Sequence, residues 1–255
     1  GGGTPSLFKP QHLARLLEEV PHQGAEITLE VNPGTAEYHR FEDYQDAGIN
    51  RLSIGAQSFS NAQLARLGRV HQQDETISAV AKARQAGFSN INLDIMWGLP
   101  GQSVAEALQD LRQGIQLQPQ HISWYQLTIE PKTEFAGRPP ILPVDRVLQE
   151  IEQAGLALLA EAGFQRYEVS AFARTGYQCQ HNLVYWSFGD YMGIGAGAHG
   201  KITQGPNIYR TQRPSQPRLY QQDSQTTKLT EIPQTQRTIE FMMNALRLLD
   251  GVTQQ

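Results

Sequence analysis

At 255 residues and a net charge of −4, the chain is long enough for one large α/β domain, or one domain with an appendage, and has no basic excess that would suit nucleic acid. A hydrophobic share of 39% and a mean hydropathy of −0.45 fit a water-soluble chain, and no apolar run reaches the length of a membrane span. The one cysteine, Cys179, excludes an internal disulfide, suits a reducing cytoplasm and leaves no set of thiolates for a metal cluster.

The chain opens on Gly1-Gly2-Gly3-Thr4-Pro5-Ser6. Glycines alone read equally as a linker. Followed by Thr4-Pro5-Ser6 and a helical pattern, they read as a βα loop whose strand lies upstream, with a capping hydroxyl leading into a helix. The expectation is therefore a piece of a larger protein. Glu26 to Val31 follows as a strand, Ala36 to Ala47 as a helix closed by Gly48, and Arg51 to Ala56 as the next strand. Asp74 to Ala86 is a helix with an acidic start and Gly87 beyond its end. Ile91 to Trp97 is a strand, Val104 to Leu117 a helix and His121 to Thr128 a strand. Repeated βα units at this spacing predict parallel strands with right-handed crossovers. Beyond a Pro-rich hinge at 138–143 come a helix over Asp145 to Ala162, a strand over Arg166 to Phe172, loop with short strands over Thr203 to Pro233, and a helix over Arg237 to Leu249.

The unusual residues all fall just after a strand. They are Gly1–Ser6, Glu30–Pro33, Gly55–Ser58, Asp94 with Gly98–Gln102, and Gln126–Pro131. In a (β/α) barrel these loops share the C-terminal rim, where ligands bind. Glu30, Gln57 and Asp94 on such a rim suit a ligand with an amine and ribose hydroxyls, and Arg69 can pair a carboxylate bidentately. Each acid taken alone reads first as a solvated loop residue and Arg69 as a surface helix charge, and it is their common rim that joins them into a site. A phosphate ligand is disfavoured, since no Gly-rich phosphate loop follows a strand. His181 is either a core or capping residue or an axial ligand for haem iron, with Tyr185 on its helical face and Trp186 nearby. Cys179 and His199 are competing ligands.

The motifs GGGTPS (1–6), EVNP (30–33), SIGAQSF (53–59), LGRVH (67–71), NLDIMWGLPGQ (92–102) and WYQLTIEP (124–131) resemble the radical SAM family of oxygen-independent coproporphyrinogen III oxidases. YEVSAFA (167–173), HNLVYW (181–186) and GIGAGAHG (193–200) narrow the resemblance to its haem-chaperone branch, the HemW type. The resemblance implies an α/β fold: a partial, TIM-like (β/α) radical SAM barrel over 1–143, N-terminally truncated by its first βα unit, then a C-terminal α+β extension over 144–255. It implies S-adenosylmethionine contacts from Gly2, Gly3, Thr4, Glu30, Gln57, Arg69 and Asp94, and His181 as the haem-iron ligand, while Gln126 is a weaker candidate placed only by its strand end.

The family's 4Fe-4S cluster sits on a three-cysteine loop after the first barrel strand, a region expected before residue 1. Further helices are expected after residue 255. Without those thiolates the chain as given is expected to be inactive in radical chemistry. The implied function is haem transfer to acceptor proteins, in the cytoplasm, with any membrane association only through an acceptor. The alternative is an oxidase that decarboxylates two propionates of coproporphyrinogen III. Whether the chain acts as an enzyme, and its oligomeric state, stay open.

Overall fold

The computed structural model describes residues 4–35 and 39–251. Thr4 leads into a 3-10 turn, Pro5–Leu7, without a side-chain capping bond. The helix proper, α1, runs Pro10–Glu18. It begins later than predicted because Pro10, which has no N–H to leave unpaired, suits the first helical position. Next come β1 (Thr28–Val31), α2 (Phe41–Asp46), β2 (Arg51–Gln57), α3 (Asn61–Arg66), α4 (Gln73–Gln85), β3 (Ile91–Trp97), α5 (Val104–Gln116) and β4 (His121–Gln126). Helix α2 starts only at Phe41, because Arg40 is extended (φ −71°, ψ 141°). The short α3 was not predicted from sequence; the Ser60 hydroxyl caps it by accepting the Gln63 N–H.

Then follow α6 (Glu134–Gly137), α7 (Asp145–Glu161), β5 (Gln165–Glu168), β6 (Ala171–Ala173), α8 (Gln180–Trp186), β7 (His199–Gln204), β8 (Asn207–Gln212), α9 (Pro217–Gln222), β9 (Lys228–Glu231) and α10 (Gln234–Ala245). The single strand expected over Arg166 to Phe172 is thus two strands, broken by a turn at Val169-Ser170. Helix α10 stops at Ala245 because the next residues pair elsewhere. The Arg247 carbonyl accepts from Val169 N–H and Leu249 N–H donates to the Tyr167 carbonyl.

One sheet has the order β1-β2-β3-β4-β6-β5, and a second the order β7-β8-β9. β1 to β4 are parallel, as predicted, and β6 runs antiparallel to β4. The fold class expected from sequence, a mixed α/β chain built on a parallel sheet, is the one observed. Contacts divide the chain into two units. The first holds residues up to Arg166 with Ser170–Gln178, and the second Tyr167–Val169 with the residues from Cys179 onward.

In the first unit, Leu52, Ile54, Ile91, Leu93, Ile95 and Ile122 are all fully buried. They pack in one cluster with Val80 and Ala83 of α4, Ala107 and Leu111 of α5, and Ile151 and Leu159 of α7. Two helical glycines allow the close approach. A β-carbon at Gly155 would lie 2.0 Å from the Trp124 ring, and one at Gly114 would collide with Ile95.

The other face of the parallel sheet is polar. Register sets Glu30 beside Ser53, Ser53 beside Asn92 and Asn92 beside His121, with Asp94 beside Ser123 one step further. Side chains in a strand alternate between faces. One strand face therefore feeds the core and the other collects hydroxyls, amides and carboxylates. Parallel strands are ordinarily apolar on both faces, so a polar row on β1 to β4 is unusual.

The second unit is built on the β7-β8-β9 meander, whose first turn, Gly205-Pro206, starts with a positive φ of 55°. Two-residue hairpins favour that conformation. On β7, Lys201, 2% exposed, is paired with Asp190 at 2.6 Å.

Candidate functional site

Above the polar face lies a cavity of about 260 Å³ lined by Thr4, Pro5, Glu30, Val31, Asn32, Ser53, Gly55, Gln57, Arg69 and Asp94. Every sequence-predicted ligand residue of the rim that the structure describes, apart from Gln126, is on this list. Gly2 and Gly3 lie outside the described residues. Gln126, at the end of β4, is exposed and does not line the cavity.

Asp94 is held by a network that the sequence reading did not name. Its Oδ2 accepts from the Ser53 hydroxyl (3.1 Å) and its Oδ1 from Asn92 Nδ2 (2.9 Å). Asn92 Nδ2 also donates to Ser53 Oγ (2.7 Å). Asn92 Oδ1 accepts from the Ser123 hydroxyl (3.1 Å) and faces His121 Nδ1 (2.6 Å), which must carry the proton to donate to a carbonyl. The amide is thereby fixed with both N–H groups toward Ser53 and Asp94. Burial raises the Asp94 pKa, and the hydrogen bonds from Asn92, Ser123 and Ser53 and the charge of Arg51 oppose it. The result is a carboxyl whose ionised form relies on its neighbours.

Gln57 is oriented just as closely. Its φ is +63°, a conformation side chains other than glycine avoid, and the ladder shifts register between Ile54 and Gln57. This turn swings its side chain to the polar face, where Oε1 accepts from the Tyr125 hydroxyl at 2.8 Å. Burial, with the charge of Asp94, pushes the Tyr125 pKa up to about 12, so the phenol stays a donor and leaves Gln57 Nε2 as the group offered to a ligand. Gly55 gives this amide room, since a β-carbon there would lie 3.0 Å from Nε2. Asp110, on α5, clamps the following turn by accepting from the Ser58 hydroxyl (2.5 Å) and Phe59 N–H (2.9 Å). The Tyr44 hydroxyl reaches the Ser6 carbonyl (2.6 Å) and the Phe8 carbonyl (3.0 Å), tethering the segment whose Thr4 and Pro5 line the cavity.

Arg69 and Glu30 are exposed and line the cavity; among the described residues neither makes a side-chain hydrogen bond or an ion pair. A free guanidinium and two carboxylates around one cavity suit a zwitterionic, cationic ligand with hydroxyl groups. The donor set therefore fits S-adenosylmethionine.

His181 sits in α8 of the second unit. Its imidazole is exposed, meets the Tyr185 ring edge-on at 6.2 Å, and has Cys179 Sγ 3.1 Å from Nδ1. Tyr185 meets Tyr191 at 4.6 Å. The expected sharing of a face by His181 and Tyr185 is thus observed. Trp186 instead lies under Arg247, whose guanidinium is 4.2 Å from its ring. Cys179 is buried at the α8 cap, where its N–H donates to the Tyr167 hydroxyl (3.2 Å). His199 opens β7, and among the described residues no contact joins it to His181. An exposed imidazole beside aromatic rings has the chemistry of a haem-iron ligand, and the Cys179 thiol is a second donor at the same place.

A radical SAM superfamily profile matches residues 1–113. The chain is 51% identical over 261 residues to "Heme chaperone HemW" of Haemophilus influenzae, covering 100% of this chain and 68% of that protein. It is 52% identical over 257 residues to the protein of the same name from Escherichia coli, covering 98% and 68%. Among solved structures, the coproporphyrinogen III oxidase HemN of Escherichia coli aligns with a TM-score of 0.79 at 24% identity, covering 97% of this chain and 62% of that one. That last likeness is one of fold. By its identity to these chaperones along its whole length, the chain belongs to the HemW family of the radical SAM superfamily.

Proposed function

We propose that this chain forms the S-adenosylmethionine-binding and haem-binding part of a haem chaperone that passes haem to acceptor proteins. The convergence of Thr4, Glu30, Gln57, Arg69 and Asp94 on one cavity carries the first half of this reading. Arg69 pairs the ligand carboxylate, Glu30 and Asp94 take the ammonium and ribose hydroxyls, and Gln57 Nε2 donates to a ligand acceptor. Bound there, S-adenosylmethionine supplies a sulfonium and an adenosyl group. The chain's own residues select and orient it.

His181 takes haem iron through a neutral imidazole. Tyr185 supplies flat aromatic surface beside it. The chaperones of 51% and 52% identity support a carrier role, whereas the oxidase likeness extends to the fold alone. The one cysteine does not furnish the three thiolates of a 4Fe-4S cluster, so the reading concerns binding and not radical formation. Gly2 and Gly3 belong to the proposed site by sequence resemblance. Among the described residues no helix is long and apolar enough to cross a membrane.

Equilibrium dialysis of S-adenosylmethionine against the wild type, Arg69→Ala and Asp94→Asn tests the first half. Each variant should weaken binding by about tenfold or more, the scale of a lost charged hydrogen bond. Haem titration tests the second half: His181→Ala should lose the Soret change. Unaltered haem spectra in that variant, or S-adenosylmethionine affinity indifferent to both cavity variants, would remove the corresponding half.

A further inference from the structure

His71 ends the LGRVH segment between α3 and α4, and the ligand chemistry above leaves it without a task. Its neighbours Arg69, Val70 and Gln72 are exposed, yet His71 itself is 2% exposed. Nε2 lies 3.2 Å from the carbonyl oxygen of Ala56. A carbonyl only accepts, so Nε2 carries the proton and Nδ1 is the bare nitrogen. Nδ1 is itself buried and, among the described residues, meets no partner. A second proton there would be an unpaired buried donor. Burial accordingly lowers the pKa of His71; Arg69 acts the same way, and the Ala56 bond and Glu75 act against it. The ring is therefore a neutral, one-sided donor.

What it grips is the peptide that sets Gln57. The Ala56 carbonyl also accepts from Ser58 N–H at 2.8 Å, closing a tight turn around Gln57. The orientation of that carbonyl fixes the plane about which the Gln57 φ of +63° is set. Such strain persists only where the surroundings over-determine it. On its other side His71 backs the loop after β1, since a β-carbon at Gly34 would lie 3.5 Å from His71 Cβ. Arg69 is two residues away along the chain. The imidazole thus grips the Gln57 turn, while the β-carbon of the same residue stands by the β1 loop and its backbone continues from Arg69.

We propose that His71 is a positioning residue of the cavity: its bond to the Ala56 carbonyl holds Gln57 in its left-handed turn and keeps the Arg69 segment at the rim. This rests on the reading of the cavity as an S-adenosylmethionine site.

The test is a double-mutant cycle on the intact protein, with S-adenosylmethionine affinity measured by equilibrium dialysis for wild type, His71→Ala, Gln57→Ala and the double variant. Each single change should weaken binding about tenfold. The double variant should be little weaker than either, because His71 acts through Gln57. His71→Gln, whose amide N–H can reach the same carbonyl, should restore most of the affinity. A merely structural histidine would give additive losses of about a hundredfold in the double variant and no rescue beyond recovered melting temperature. Additive losses, or His71→Ala and His71→Gln both binding like the wild type, overturn the proposal. A wild type that does not bind S-adenosylmethionine overturns the parent reading instead, and the role of His71 in it.

Discussion

Replacing Asn92 by leucine should cost the protein about 2–4 kcal/mol and change how its stability responds to pH. Asn92 is 2% exposed and its amide joins four groups. Leucine fills the space but leaves the fully buried His121 Nδ1–H without the acceptor it has at 2.6 Å, a loss of about 1–3 kcal/mol. It also removes the 2.9 Å bond to Asp94, a charge-assisted one of about 1.5–3 kcal/mol. Ser123 can rotate its hydroxyl elsewhere, and the added apolar contact returns about 1 kcal/mol. Losing Asn92 moves the Asp94 pKa further in the direction burial already drives it. The folded state then holds this proton more tightly than the unfolded state, so protonation on acidification relieves the defect. Urea unfolding followed by the fluorescence of the adjacent Trp97 and Trp124 should show a larger deficit at about pH 8 than at about pH 5. A variant within about 0.5 kcal/mol of the wild type, or a deficit that ignores pH, would refute the network as described.

Two further outcomes are open to simple measurement. Gly155→Ala places a β-carbon 2.0 Å from the rigid Trp124 ring and should destabilise by about 1–3 kcal/mol or more, while Gly137→Ala, with nothing within 4 Å, should not; comparative thermal melts decide it. Tyr44, Tyr125 and Tyr167 are each pushed by burial up to about 12, against 10.0 ordinarily. The unfolded chain loses these protons first. Stability should therefore fall as the pH rises above about 10, and ultraviolet titration should show the three phenols ionising only with unfolding.

The β1 to β4 units were legible because each strand carries regularly spaced apolar residues between turn signals and the longer helices α4 and α5 have clear ends. Gly87 and the acidic start of α4 are examples. Glu30, Gln57 and Asp94 could be singled out because they are polar groups in or at the end of short, mostly apolar strands, whereas Arg69, in the segment between α3 and α4, stood out through the LGRVH motif. Ser53, Asn92, His121, Ser123 and Tyr125 were missed, although a signal was present. In INLDIMW and HISWYQ polar residues recur at every second position, and that alternation marks a polar sheet face. Other features depend on contacts no local pattern carries. The positive φ of Gln57 is set by Tyr125 and the Ala56 turn, and the early end of α10 by pairing with residues 167–169. Gln126 stands at the end of β4 as expected but does not line the cavity, because position at a strand end does not say which way a side chain turns.

The alternation of the parallel strands ties folding to recognition. Slipping β3 by one residue against β2 would carry Leu93 and Ile95 into the cavity and drive Asn92 and Asp94 among the buried isoleucines. No such error leaves a stable molecule with a defective pocket, because the same misalignment ruins both. Insertions inside these strands should therefore act as all-or-none lesions, whereas changes confined to the loops can retune the ligand without touching the scaffold. In this chain a well-packed sheet and a correctly assembled cavity therefore rest on one and the same register.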